Sequence, residues 1–415
     1  MKIITLQEEE FEIYANNHRY RNFYQSTAYG KLMEHFGFNI HYVGFIDEDE
    51  NLLGASLFIY REAMMGSKFV YAPRGMLFDY SDQKLTKELA DRIKRLLGKQ
   101  NFMYLKIDPL IPCAIYDQKG EIINYNENIN DIAESLKKAG FNHHGKNKFF
   151  ETMKPRFEAI TTLNQSNQEV YKKFNKQTRN KIQKAIRCGV ELVEIEDDDL
   201  TQFFSFIKRK HTKSLEYYKE IKKHFKDQFK IYYAKLNTER FVLYTKNAYE
   251  KELEINEKYN NQIQNPKQNS NSLRKILNKK MESDKLLNSH KRNLVWATNL
   301  LKQYPNDIII GAISIMEYDN AAYLFIEGYD TRFKTLNPTY FLKWEMIKLY
   351  KQKNFKYFNL NAVTGEWEDI HKYSGLNEMK LGFNSVITEY IGEYDLIINP
   401  ITYNVYLKTT KDEKK

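Results

Sequence analysis

Asp108 ends the strand-like run LKIDP, and the similar run KYFNLNA ends on Asn361. A carboxylate at a strand end, at the mouth of a sheet, can reach an incoming amine and is a general-base candidate. An Asp before Pro equally suits the capping of a turn, so both roles stay open. The other chemistry-bearing residues are cations. KKFNKQTRNKIQKAIRCGV, residues 172–190, contains Lys172, Lys173, Lys176, Arg179, Lys181, Lys184 and Arg187 without one acidic residue. Uncompensated cations on one helix repel each other, which favours an anion beside it. KRKHTK at 208–213 adds to that surface. A third set, which includes Lys279 and Lys280 with Arg274, Lys275, Lys285, Lys291, Arg292 and Lys302, outweighs Glu282 and Asp284. It could track a phosphate backbone, although a solvated helix exterior carries the same charges. The net charge of +10 fits an RNA, an anionic membrane face or a phosphorylated substrate. Cys113 and Cys188 lie in no metal-ligand spacing. Neither a metal nor a disulfide framework is expected, and a reducing cytoplasm fits.

These residues sit on a pattern that occurs twice. LLGASLFIY (52–60) and IIGAISIME (309–317) are apolar strands with a Gly-Ala pair, followed by FVYAPRGM (69–76) and AAYLFIEGY (321–329). Helical segments follow at 84–100 and 338–353, with Pro338 at a first-turn position. The helical period is clear in the first and looser in the second. The echoed strands QNFMYLKIDP and KNFKYFNLNA close each copy. The order β-β-α-β, written twice, points to duplication. Arg74 and Asp79 in PRGMLFDY read as a turn pair. A chain of 415 residues exceeds one ordinary core, and 42% hydrophobic residues fill more than one. The start MKIITLQEEEFEIY has no apolar signal-type core, and no run approaches the ~20 apolar residues that span a bilayer.

Between the copies, 247–304 is polar and nearly free of glycine. Leu273, Leu287, Leu294 and Leu301 share a seven-residue register, with Ile276, Leu277 and Met281 beside them, and QNPKQNSNS forms a turn. An antiparallel helical coiled-coil arm is expected. The expected fold is mixed α/β: a first unit over 1–150, a second over 151–246 plus 305–408, the arm, and a charged tail at 409–415. The segment after about 375 could pack back on the first unit. Each unit follows the plan of the N-acetyltransferase-like fold. Such enzymes hold a pyrophosphate on backbone N–H groups of a glycine-rich turn at a helix N-terminus. The turns here, PRGMLFDYSDQ and GYDTRFKTLNP, lack one, so acetyl-CoA is not expected.

The twin units, YAPRGMLFDY after a hairpin, LKIDP, the inserted arm and the closing MKLGFNSVITEYIGEYDLIINP together resemble the Fem family of non-ribosomal peptidyltransferases. The resemblance spans nearly the whole chain. It implies transfer of Gly, Ala or Ser from aminoacyl-tRNA, the co-substrate in place of any cofactor, to the stem peptide or growing bridge of lipid II. UDP-muramyl-pentapeptide is the alternative acceptor. The setting would be cytoplasmic, with peripheral contact at the inner membrane face and no DNA partner. The resemblance further implies roles for Lys380 in EMKLGF at the aminoacyl ester, and for Lys31 in YGKLMEHFG and Lys213 on precursor phosphates. Lys213 stands where the family often has arginine, so the charge is kept and the bidentate fork lost. Tyr217 and Tyr323 match tyrosines around the muramyl-peptide, and Phe325 replaces a third. Arg179, Lys184, Lys279 and Lys280 are the candidate tRNA contacts. Aminolysis of an ester needs an amine, a proton acceptor and a donor facing the oxyanion, and no covalent nucleophile. The rival readings are an acyl-CoA N-acyltransferase and a non-catalytic RNA-binding scaffold.

Overall fold

The computed structural model describes the chain except residues 63–65, 67, 197–198, 210–212, 265–269, 369–370 and 413–415. The first part runs β1 (Lys2–Thr5), α1 (Glu8–Asn17), α2 (Thr27–His35), β2 (Asn39–Ile46), β3 (Leu52–Glu62), β4 (Lys68–Ala72) and β5 (Leu77–Phe78). It continues through α3 (Gln83–Gly98), β6 (Phe102–Ile107), β7 (Pro112–Tyr116), β8 (Ile122–Tyr125), α4 (Ile129–Lys138) and β9 (Phe141–His143). The middle holds β10 (Phe157–Thr162), α5 (Asn167–Lys173), α6 (Lys176–Arg187), β11 (Val190–Val193), α7 (Thr201–Ile207), α8 (Leu215–Phe225) and β12 (Phe229–Leu236). Two long helices follow, α9 (Thr238–Gln264) and α10 (Ser270–Gln303). The chain ends with β13 (Ile308–Tyr318), β14 (Ala321–Tyr329), α11 (Pro338–Gln352), β15 (Tyr357–Val363), α12 (Ser374–Leu381), β16 (Val386–Tyr390), β17 (Tyr394–Ile397) and α13 (Pro400–Asp412).

The strands form two sheets. One has the order β1-β2-β3-β4-β6-β17-β9, with β5 beside β3, and the other β11-β12-β13-β14-β15-β10-β16-β7-β8. Each contains one parallel pair, β4 with β6 and β14 with β15, and in each case a helix, α3 or α11, makes the crossover that a parallel pair requires. The pairs differ in extent. β4 stays on β6 from Lys68 to Ala72, its last residue. β14 leaves β15 after Tyr323↔Asn359, although both strands continue.

The division expected at residue 150 does not follow the sheets. β7 and β8 belong to the second sheet, where β7 pairs with β16. Of the segment after residue 375, β16 stays in the second sheet and β17 inserts between β6 and β9 in the first. Each half therefore lends strands to the other. An apolar core also crosses the seam, holding Phe11, Leu57 and Leu77 with Tyr218, Ile221 and Met316.

Local chemistry explains the helices. Asp82 accepts the Leu85 N–H at the start of α3, whose Leu89, Ile93 and Leu97 are buried one turn apart. α11 buries Phe341, Leu342, Lys343, Trp344, Met346, Ile347 and Tyr350. A helix covered on most sides shows no narrow apolar stripe, which accounts for its looser period. α9 and α10 pack antiparallel: Phe241 meets Trp296 at 5.2 Å between ring centroids, while Asn256 reaches Ser283 at 3.1 Å. Leu273, Ile276, Leu287, Leu294 and Leu301 are part-buried, whereas Leu277 and Met281 are exposed. Among the described residues, no helix is long and apolar enough to cross a membrane.

Candidate functional site

The ends of β4 and β6 lie side by side, so Asp108, just beyond β6, meets the turn that follows β4. Asp108 is 1% exposed. Its Oδ1 accepts the Arg74 backbone N–H at 2.6 Å and its Oδ2 accepts the Tyr71 hydroxyl at 2.9 Å. Arg74 takes a left-handed backbone, φ 52°. A non-glycine residue stays there only when its surroundings hold it. Burial pushes the Asp108 carboxyl up to about 6, against the opposing pull of Arg74 and the two hydrogen bonds.

Arg74 then crosses to the other sheet. Its guanidinium donates to Glu158 Oε1 at 2.8 Å and to the Pro155 carbonyl at 2.7 Å, and lies 5.2 Å from the Tyr390 ring. Glu158 Oε2 accepts from Asn359 at 2.7 Å. β10, β15 and β16 thus supply the groups that receive a side chain from the first sheet. Asp79 is not the partner of Arg74, as the turn motif suggested; it binds Arg19 at 2.6 Å. The reason is position: burial of Arg74 at 2% demands a buried carboxylate, and its guanidinium reaches Glu158 while Asp108 takes its backbone N–H.

A small cavity opens here, lined by Phe23, Tyr24, Arg74, Glu158, Tyr323 and Tyr390 among others. Lys154, in the stretch between β9 and β10, lays its ammonium 3.7 Å from the Tyr24 ring centroid and 5.7 Å from that of Tyr29. Desolvation pulls this amine down to about 7, against the raising effect of Asp108. Lys213 is close enough to add to the depression, and its own ammonium sits 4.9 Å over Tyr217. Tyr323 packs edge-on against Phe23 at 5.4 Å. Burial raises the hydroxyls of both Tyr217 and Tyr323 above the usual tyrosine range.

Of the residues expected from the sequence, Tyr323 lines this cavity; Asp108 lies behind Arg74, which lines it, and Lys213 stacks on Tyr217 outside the lining. Lys380 is not among the residues that line the cavity. It lies on α12, buried, with Nζ donating to the Ala362 carbonyl at 2.7 Å, one residue past the cavity-lining Asn361. Lys31 stands on α2 and pairs with Glu8 at 2.6 Å. Sequence reasoning missed Lys154, Tyr24, Glu158 and Tyr390, because nothing in their local patterns marks them.

The cations expected to contact tRNA divide. Arg179 donates to the Lys172 and Phe174 carbonyls at 2.6 and 2.9 Å, closing the end of α5. Lys280 is ion-paired with Asp284 at 2.5 Å. Lys279 is exposed. Lys184 is exposed on a groove that it shares with Lys176, Lys181, Lys334 and Asn337, at the start of α11. Among the described residues, one grouping has metal-ligand types, His35 with Glu216 and Glu220. The two His35 nitrogens face different carboxylates, and Lys223 also binds Glu220, so Glu220 is already engaged by a lysine.

This arrangement of two interlocked mixed sheets is similar in fold to FemX. The crystal structure of that protein superimposes with a TM-score of 0.71 at 17% identity, over 98% of this chain and 99% of FemX. Residues 6–411 match the model of the FemAB family, and the chain belongs to that family. Aminoacyltransferase FemA of Staphylococcus epidermidis is 24% identical over 423 residues, covering 100% of both chains. Aminoacyltransferase FemA of Staphylococcus aureus (strain bovine RF122 / ET3-1) is 23% identical over 422 residues, covering 99% of each.

Proposed function

We propose that this chain transfers an amino acid, Gly, Ala or Ser, from aminoacyl-tRNA to the stem peptide or growing interpeptide bridge of lipid II. The chain is a transferase enzyme of the FemAB family, aligned over its full length with named aminoacyltransferases. The observation that carries the reaction type is the buried Asp108, held by Tyr71 and Arg74 and pushed up to about 6, beside cations and tyrosines in the cleft between the sheets. An amine that attacks an ester must lose a proton, and a carboxyl tuned toward neutrality lies where that proton can go.

The acceptor occupies the cleft, with Lys213, Tyr217 and Tyr323 around it and Lys31 at the outer end. The charged ester approaches past β15 and Lys380, where β14 and β15 part. Two features favour a donor other than acetyl-CoA. Asp82 already takes the Leu85 amide at the start of α3. At the start of α11, Pro338 has no N–H to offer. The tRNA follows the basic groove of Lys184 toward the α9–α10 pair, which serves as a coiled-coil arm presenting Lys279; Arg179 and Lys280 support that surface from within their ion pairs and hydrogen bonds. The two units act as tandem acetyltransferase-like domains that exchange strands. Contact with the membrane is peripheral, at its cytoplasmic face.

Purified protein incubated with radiolabelled aminoacyl-tRNA and lipid II tests the reading. Label is expected in the lipid fraction. Transfer from no charged tRNA, with label moving instead from an acyl-CoA, would replace the reading with the small-thioester one.

A further inference from the structure

A second cavity, of about 480 Å³, lies at the root of the α9–α10 pair. That volume is in the range of small-ligand sites. Side-chain size explains why the two helices leave room there. Phe241 meets Trp296 where the pair joins the sheet, whereas the wall beyond is made by Ala248 and Ser289, which are too small to fill the space between helices. Tyr244 and His290 line the same recess, so it offers rings to stack on, and Asn293 adds an amide. The remaining wall comes from the end of α6 and from the stretch before α11. Lys184 and Thr335, which belong to these two elements, also line the basic groove that holds Lys176, Lys181 and Lys334. Recess and groove therefore adjoin, and among the described residues neither lining contains a carboxylate. A cationic groove alone attracts a phosphate backbone. A ring-lined recess opening beside it supplies what a single-stranded nucleic acid adds: a flat base that stacks on aromatic side chains and an edge that an amide can hydrogen-bond. A paired duplex cannot enter a space of this size, and an unpaired base can.

We propose that this recess holds one unpaired nucleoside of the tRNA, its base among Tyr244, His290 and Trp296 and its flanking phosphates on Lys184 and the groove beyond. This rests on the tRNA-dependent reading above, and it gives the tRNA a base contact where that reading supplied only charge. Phosphate contacts hold a nucleic acid without fixing which nucleotide lies where. A base seated in a recess fixes that register, and so sets how far along the groove the aminoacyl end can reach. The arm then acts at its root, as the wall of a base site, in addition to presenting cations along its length.

Binding of uncharged tRNA transcripts for Gly, Ala and Ser tests this without any need for activity. Wild type is compared with Ser289→Phe, which fills the recess, and with Tyr244→Ala, which removes a half-buried ring and adds no bulk between the helices. Filter binding across a salt series is the readout. Each variant is expected to bind the preferred transcript roughly 5- to 150-fold more weakly, the range for losing one base–aromatic stack. The slope of log affinity against log salt is expected to stay as in wild type, because neither change removes a cation. Ultraviolet cross-linking of wild type to the same transcript, followed by nuclease digestion and peptide mass spectrometry, is expected to place a nucleotide adduct on Tyr244, His290 or Trp296, and Ser289→Phe is expected to lose it. Adducts confined to the groove peptides, or weaker binding that comes with a flatter salt slope in both variants, overturns the proposal. A wild type that binds none of the transcripts instead strikes the tRNA reading on which it rests; a wild type that binds while both variants match it strikes the recess alone.

Discussion

Replacing Arg74 with Met should be the most damaging single change at the seam between the sheets. The side chain is fully buried, and it leaves three groups behind: the Glu158 carboxylate at 2.8 Å, the Pro155 carbonyl at 2.7 Å and the Tyr390 ring. Removing one partner of a buried ion pair costs about 3–5 kcal/mol, since the remaining charge stays desolvated. A carbonyl stripped of its donor adds about 1–3 kcal/mol. Asn359 still donates to Glu158, which keeps the expected loss toward the lower end, about 4 kcal/mol in all. Urea unfolding followed by tryptophan fluorescence reads this as a fall in the midpoint. Adding Glu158→Gln removes the orphaned charge, so the double variant should be more stable than Arg74→Met alone by on the order of 2 kcal/mol. A loss under about 1 kcal/mol, or a double variant equal to the sum of the singles, would refute the view that this pair couples the two sheets.

Asp108→Asn is expected to slow transfer by roughly 10²- to 10⁴-fold with substrate affinities little changed; an unaltered rate would take Asp108 out of the mechanism. The same substitution should raise stability at alkaline pH. A carboxyl held near 6 when folded binds protons more tightly than its unfolded value of about 3.8. Its penalty is therefore fully present above about pH 6 and fades as pH falls toward 4, on the order of 2–3 kcal/mol at most. Thermal unfolding of Asp108→Asn and wild type should thus diverge at pH 8 and converge at pH 4; parallel curves would contradict it. Lys184→Glu with Lys334→Glu should weaken tRNA binding and flatten its salt dependence by about two counterions, read by filter binding across a salt series, while Lys31→Glu should spare tRNA and weaken the precursor. Lys380→Met should abolish transfer; a circular dichroism spectrum matching wild type would confirm that its contact with the Ala362 carbonyl is not needed for folding.

Much of the fold was readable from period and turn chemistry. α3 announces itself through Leu89, Ile93 and Leu97, and the β-β-α-β order recurs in both sheets with its parallel pair. The exchange of strands was not readable. PCAIY and YDLI look like strands of any sheet, and only long-range pairing, β7 with β16 and β17 with β6, decides which sheet takes them. The same holds for the site. Asp108 is visible because a strand ends on it. Lys154 lies in a stretch without periodicity, and Arg74 finds its carboxylate 84 positions away, where no local motif could place it. Lys380 shows the intermediate case: the resemblance picked the residue, while its helix and its burial came only with the structure.

Mass spectrometry of muropeptides from cells lacking this protein tests aminoacyl transfer to the cell-wall precursor most directly. Bridges should be shortened or absent at one defined position, restored by the wild-type gene and not by Asp108→Asn. Muropeptides identical to those of the parent cells, bridge for bridge, would contradict the proposed function.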